Sequence, residues 1–251
     1  MNDEQLLRYS RQIMLPGVDV AGQEKLADAR ILIVGLGGLG APVALYLAAA
    51  GVGTLVLADA DAVELTNLQR QIIHSTASIN QPKVDSAAKA LTALNPTIQL
   101  IAHPEAASTD NIEALAQGCD VLVDCTDNFT TRFLLNRHSV AHKIPLVSGA
   151  AIRLEGQISV FDPRADNSPC YRCLYSEQDD QALSCAESGV LGPLVGVIGA
   201  MQAMEAIKLV VGLGSTLAGR LLVFDAATAH WRELALQPDP ACPVCAKTSR
   251  S

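Results

Sequence analysis

The sequence predicts an α/β fold: a doubly wound, mostly parallel Rossmann-like sheet extended by antiparallel strands, with a structural zinc site. Three observations carry the sheet. Apolar runs of strand length alternate with helical stretches from residue 30 to residue 149. The first run ends in a glycine-rich turn, Gly35-Leu-Gly-Gly-Leu-Gly40. Hydrophobic residues make up 49% of the chain but aromatics only 4%, so small aliphatics fill the interior, as a sheet covered on both faces requires.

Residues 3–28 read as two short helices, with a turn at Pro16-Gly17. Arg30-Ile-Leu-Ile-Val-Gly35 is a buried strand ending in glycine. Gly38 to Ala50 follows as a Gly/Ala-rich helix, Pro42 in its first turn, where a missing N–H costs least. Thr54–Ala58 is the second strand and ends on Asp59. Lys83 to Leu94 is helical and stops at Asn95-Pro96. Strand 97–102, helix 111–117, strand 120–124, helix 129–142 and strand 145–148 continue the alternation, which implies right-handed parallel crossovers. After Gly149 the rhythm changes. Ala151–Val160 and Gly219–Leu234 read as strands that extend the sheet with antiparallel pairing around a helix at 190–211.

The net charge of -8 disfavours nucleic-acid binding, which needs a basic face. Met1 to Arg11 has no apolar signal core. The longest apolar stretch, Val190 to Val211, carries Gln202, Glu205 and Lys208 and reads as a buried helix, not a membrane span. A cytoplasmic protein without membrane contact is expected.

Gly35, Gly37 and Gly40 fit G-x-G-x-x-G between a strand and a helix. Gly35 permits the turn, Gly37 lets backbone approach a phosphate and Gly40 lets the helix pack close. Asp59, at the end of the next strand, is placed to bind ribose hydroxyls. These residues alone fit an NAD-dependent dehydrogenase equally well. Asn67, Arg70 and Lys83 shift the balance, since cations and amides beyond the ribose acid suit a triphosphate; otherwise they form a solvated face. Asp127 ends the fourth strand, where a carboxylate could hold Mg²⁺; a turn or helix-cap role is open to it and to Asn128.

Seven cysteines without a signal peptide disfavour a disulfide framework. Cys170-Tyr-Arg-Cys173 and Cys242-Pro-Val-Cys245 together suit a closed, structural Zn²⁺(Cys)₄ site better than two redox pairs. Cys185 lies in a polar stretch and is either a nucleophile or relay thiol, or an incidental surface cysteine. The five histidines show no ligand spacing and are read as non-catalytic.

With these residues in view, the chain resembles the MoeB/ThiF family, relatives of the activating domain of ubiquitin-activating enzymes. The resemblance runs nearly end to end. It includes Arg8-Tyr-Ser-Arg-Gln12, Gly35 to Gly40, Asn67 to Gln71, Asp124 to Asn128 and both cysteine pairs. It implies ATP-dependent adenylation of the C-terminal Gly-Gly of a ubiquitin-like sulfur carrier, MoaD-like or ThiS-like, by a homodimer. It implies that Gly38 contacts ATP, Asp59 binds ribose, and Thr66, Asn67, Leu68, Gln69, Arg70 and Lys83 serve the nucleotide. Asp127, beside Asn128, would position Mg²⁺, and Arg11 would reach the partner protomer's site; intact Arg11, Arg70 and Asp127 weigh against the remaining alternative, a non-catalytic scaffold that keeps the fold. Ser148 to Gly156 looks more like the molybdopterin branch than the thiamine branch; Cys185 matches the thiamine branch's carrier-conjugating cysteine and keeps that reading open. The sequence ends six residues after Cys245, without the rhodanese domain of some relatives, so an external sulfur donor is expected. One adenylating domain is expected over 1–251: N-terminal helices over 1–29, a nucleotide-binding core over 30–149, and a sheet extension with crossover loop and zinc site over 150–251.

Overall fold

The computed structural model describes residues 1–176 and 189–246. Its centre is one eight-stranded sheet. The strands are β1 (Arg30–Val34), β2 (Thr54–Ala58), β3 (Gln99–His103), β4 (Val121–Asp124), β5 (Leu146–Ile152), β6 (Glu155–Phe161), β7 (Arg220–Asp225) and β8 (His230–Ala235). Their spatial order is β3-β2-β1-β4-β5-β6-β7-β8. The first five pair in parallel, and β5 to β8 pair antiparallel. The order therefore reverses between β1 and β4, and a crevice must open beyond their carboxyl ends.

Alternation along the central strands explains the double winding. Ile31, Ile33, Leu55, Leu57, Val121 and Val123 join one core, with α4 (Gly40–Ala50), α5 (Lys83–Leu94) and α9 (Gly192–Val211). Leu32, Val34, Val56 and Leu122 face the other core, with α6 (Ile112–Leu115), α7 (Phe129–His142) and α8 (Tyr171–Leu174). Fully buried aliphatics on both faces, each contributing about 1.5–3 kcal/mol on burial, hold the helices to the sheet.

The apolar helix α9 is a core helix in this arrangement, and its polar residues are satisfied inside. The Gln202 side chain donates to the Asp124 carbonyl at 2.7 Å, and Glu205 accepts from the Leu217 amide at 2.7 Å and pairs with Lys208. The helix starts at Gly192, two residues later than the sequence suggests.

Three other expectations need correction. The N-terminal segment forms three helices, not two: α1 (Asp3–Arg8), α2 (Ser10–Ile13) and α3 (Asp19–Asp28). The break falls at Tyr9, which is drawn inward; its hydroxyl accepts from the Asn95 amide at 2.8 Å. The helix after the glycine turn starts at Gly40, because Gly37 to Leu39 complete the turn. Finally, Ala151–Val160 is not one strand. It holds the end of β5, a tight reversal at Arg153-Leu154, and β6, and Gly219–Leu234 likewise divides into β7, a turn over 226–229, and β8. Arg153 sits at φ +54°, and its backbone is pinned by bonds to the Gly189 carbonyl and the Leu191 amide, which offset the left-handed cost.

Candidate functional site

A cleft of about 340 Å³ opens beyond the carboxyl ends of β1, β2 and β4. The glycine turn forms its floor. Gly35 holds φ +90°, and a Cβ there would meet the Cys125 carbonyl at 2.9 Å. A Cβ on Gly40 would lie 1.9 Å from the Gly35 carbonyl, so only glycine lets α4 start this close to β1. Gly35, Gly37 and Gly38 line the cleft; Gly40 acts beneath it.

Asp59 closes β2. Its carboxylate accepts from the Leu36 amide at 2.6 Å and from the Asp61 amide at 2.8 Å, which locks it beside the turn with acceptor capacity to spare. His74 braces the same turn from behind. Its ring nitrogens meet the Leu36 carbonyl at 3.1 Å and the Ser86 hydroxyl at 2.9 Å. The carbonyl can only accept, so Nε2 carries the proton and the neutral ring accepts from Ser86. Burial lowers its pKa in the same direction.

Lys83, at the start of α5, is buried, and its ammonium reaches the exposed Asp61 at 2.6 Å. Arg70 is half-buried and donates to the Thr66 carbonyl at 3.2 Å. Asn67 is buried, and its side-chain oxygen accepts from the Glu64 amide. These three line the cleft; Thr66, Leu68 and Gln69 lie outside its lining. Gln71 lines it too. Its Oε1 is buried and has no partner among the described residues, an acceptor that a bound ligand's donor would satisfy.

The loop after β4 supplies the far wall. Asn128, not Asp127, caps α7: its side chain accepts from the Thr131 amide at 2.9 Å. Asp127 is exposed, lines the cleft and makes no hydrogen bond or ion pair with another described residue. Asp124 is fully buried and accepts from the Thr126 amide and hydroxyl and from the Ser148 hydroxyl. Its charge is met by Arg132, with Nε at 3.8 Å from Oδ2. Arg132 was not singled out in the sequence, because its position inside α7 carries no motif. Its guanidinium donates to the Thr126 carbonyl at 2.5 Å and the Gly149 carbonyl at 3.2 Å, tying the Asp127 loop to β5. Burial is the largest influence and opposes its charge, but Asp124, Tyr171 and Tyr175 together outweigh it and its pKa rises.

Arg11 stands apart from the cleft lining. In the Arg8–Gln12 motif, Arg8 donates to the Leu94 carbonyl, Tyr9 binds Asn95, and Gln12 donates to Gln23 and to the Ala50 carbonyl. Arg11 is exposed and makes no such contact with a described residue.

Cys170, Cys173, Cys242 and Cys245 converge from segments 72 residues apart. The sulfurs lie within 4.8 Å of one another, with near contacts of 3.4, 3.7 and 3.9 Å. A tetrahedron with metal–sulfur bonds of about 2.3 Å has edges of about 3.8 Å, so the set fits a four-coordinate thiolate site. The Asn136 amide and the Asp239 backbone N–H reach two of the sulfurs, as outer partners of such a site do. Cys185 lies outside the described residues.

A model described as the ThiF family matches residues 9–244. A molybdopterin-synthase adenylyltransferase of Escherichia coli (strain K12) is 52% identical over 98% of both chains. A sulfur carrier protein ThiS adenylyltransferase of the same organism is 48% identical over 98% of this chain and 97% of its own. Among solved structures, that of E. coli MccB with ATP superposes with a TM-score of 0.84 at 22% identity, over 95% of this chain and 74% of that one. At that identity the likeness concerns the fold.

Proposed function

The chain belongs to the ThiF family, and from that premise we propose that it adenylates the C-terminal carboxylate of a ubiquitin-like sulfur carrier ending in Gly-Gly, with ATP as donor. One observation supports this most: a single cleft joins the glycine turn and Asp59 to Lys83, Arg70 and a free Asp127. A nicotinamide site has no use for the last three. Nor does His74 offer a proton-transfer group, since both its ring nitrogens are engaged.

In the proposed reaction, glycine-turn amides and the start of α4 take the phosphates, and Asp59 accepts the ribose hydroxyls. Lys83 exchanges Asp61 for a phosphate oxygen, and Arg70 takes a second. Asp127 has the hard oxygen donors and the free position that suit Mg²⁺, whose charge would further neutralise the triphosphate. The carrier carboxylate is already ionised and needs no general base. Its oxygen attacks the α-phosphorus, the acyl–phosphate bond forms, the α–β bridging bond breaks, and pyrophosphate leaves. The work of the side chains is positioning and charge neutralisation.

The 52% identity favours a molybdopterin-type, MoaD-like carrier; the 48% identity keeps a ThiS-like carrier as the second reading. The rest of the proposal is structural zinc on the four cysteines, a homodimer placing Arg11 at the partner's cleft, an external sulfur donor and a cytoplasmic location. The whole chain acts as one adenylating unit around its continuous sheet. Cys185, if it acts, acts after adenylation, which uses no thiol. The test is ATP–pyrophosphate exchange with purified carriers. Exchange that depends on the terminal Gly-Gly, and is faster with the MoaD-like carrier, is expected. Carrier-independent or absent exchange overturns the assignment.

A further inference from the structure

The far end of α7 holds a second group of metal-ligating side chains, unrelated to the cysteines. His138 and His142 are four residues apart, a ligand spacing that the sequence reading passed over, which puts them on one face of the helix. Their rings stack with centroids 4.2 Å apart and planes at 24°. Glu113, on α6, reaches across, with Oε1 2.9 Å from Nε2 of His142. A nitrogen from each ring and a carboxylate oxygen lie within 4.8 Å of one another.

The burial is graded. His138 is buried, His142 is 43% exposed and Glu113 70% exposed. The His138 ring makes no hydrogen bond to a described residue, although it is otherwise packed. Burial, and then the neighbouring His142, lower its pKa, so its lone pair stays free near neutral pH. Two imidazoles and one carboxylate are a borderline donor set, suited to Zn²⁺ or Ni²⁺ and unsuited to Ca²⁺ or Mg²⁺. Ligand atoms around such an ion sit about 3 Å apart. The exposed His142 and Glu113 can close that gap by side-chain rotation while His138 stays fixed.

We infer that Glu113, His138 and His142 form a second divalent-metal site, with an open position for water, that clamps α6 to the C-terminal turn of α7. The cleft lies at the opposite end of this helix, 14 residues or about 20 Å away, so the ion plays no part in the chemistry there. It braces the helix whose first turn carries the Asn128 cap.

Tag-free protein with its cysteine cluster already loaded with zinc is titrated with Ni²⁺, and separately with Zn²⁺, by calorimetry at pH 7.5. One further ion per chain is expected. His142→Ala and the isosteric Glu113→Gln should each weaken binding at least tenfold, with the cysteine-bound zinc content unchanged and the thermal midpoint without added metal close to that of the parent. Either the absence of a further ion in the parent, or parent-like affinity in both variants, overturns the proposal. A bare His142–Glu113 contact gives the first of these results.

Discussion

Two aspartates three residues apart end up in opposite circumstances, and the difference decides what each can do. Asp124 is fully buried, and its oxygens are saturated by Thr126, Ser148 and Arg132. Asp127 is exposed and unpaired among the described residues. Removing Asp127 therefore costs the fold little, but it costs the proposed reaction its metal-positioning carboxylate. Asp127→Ala should keep the parent's unfolding midpoint and lose about 10²–10³-fold in carrier-dependent ATP–pyrophosphate exchange. Activity within tenfold of the parent would refute the role. Arg132→Met should do the reverse first: it strands the buried Asp124 charge and should cost about 3–5 kcal/mol in denaturant unfolding. Pairing it with Asp124→Asn removes the stranded charge, so the double variant should lose less than the two single losses added together. Asp127 is legible in the sequence as a polar residue at a strand end. Arg132 is not, because nothing within α7 shows that its side chain folds back under the preceding loop.

At the scale of elements, the centre of the parallel sheet is legible because β1, β2 and β4 are each a short apolar run bounded by glycine or a polar turn, and burial on both faces demands that pattern. The β5–β6 hairpin escapes notice for a physical reason. Its reversal uses Arg153 where Gly or Asn would be the signal, and distant backbone bonds at Gly189 and Leu191 hold it. The cysteine pairs are legible because metal ligation imposes a spacing that packing does not. Their clamp joins the segment after β6 to the segment after β8 across 72 residues. By loop closure, a metal held there would contribute about 4 kcal/mol. Protein purified without added metal should contain one zinc per chain. Exhaustive chelation, or Cys242→Ser, should lower the thermal midpoint by about 10 °C. Metal-free protein with the parent's midpoint would remove zinc from the account.

For the whole molecule, the question is whether one chain completes the proposed site. The Arg8–Gln12 motif fastens α1 and α2 to the ends of α4 and α5 through Arg8, Tyr9 and Gln12, yet leaves Arg11 exposed and outside the cleft lining. Apolar side chains beside it and on neighbouring helices are also exposed: Met14 at 72%, Leu15 at 53%, Tyr46 on α4 at 58% and Met204 on α9 at 56%. In the proposed homodimer a second copy would cover them. In the proposed homodimer each chain's Arg11 would reach the other's cleft, as the family resemblance implies, where a cation would stabilise charge on the triphosphate. Arg11→Ala and Asp127→Ala homodimers should each be inactive. A mixed dimer carrying one of each has one cleft with both defects and one with neither. Prepared with two tags and purified as the mixed species, it should recover about half of the parent exchange rate per dimer, given independent sites. If Arg11 served its own chain, each cleft would keep one defect and nothing would return. An assembled but inactive mixed dimer would therefore reject the shared site, while a monomer in sedimentation at assay concentration would reject the dimer itself.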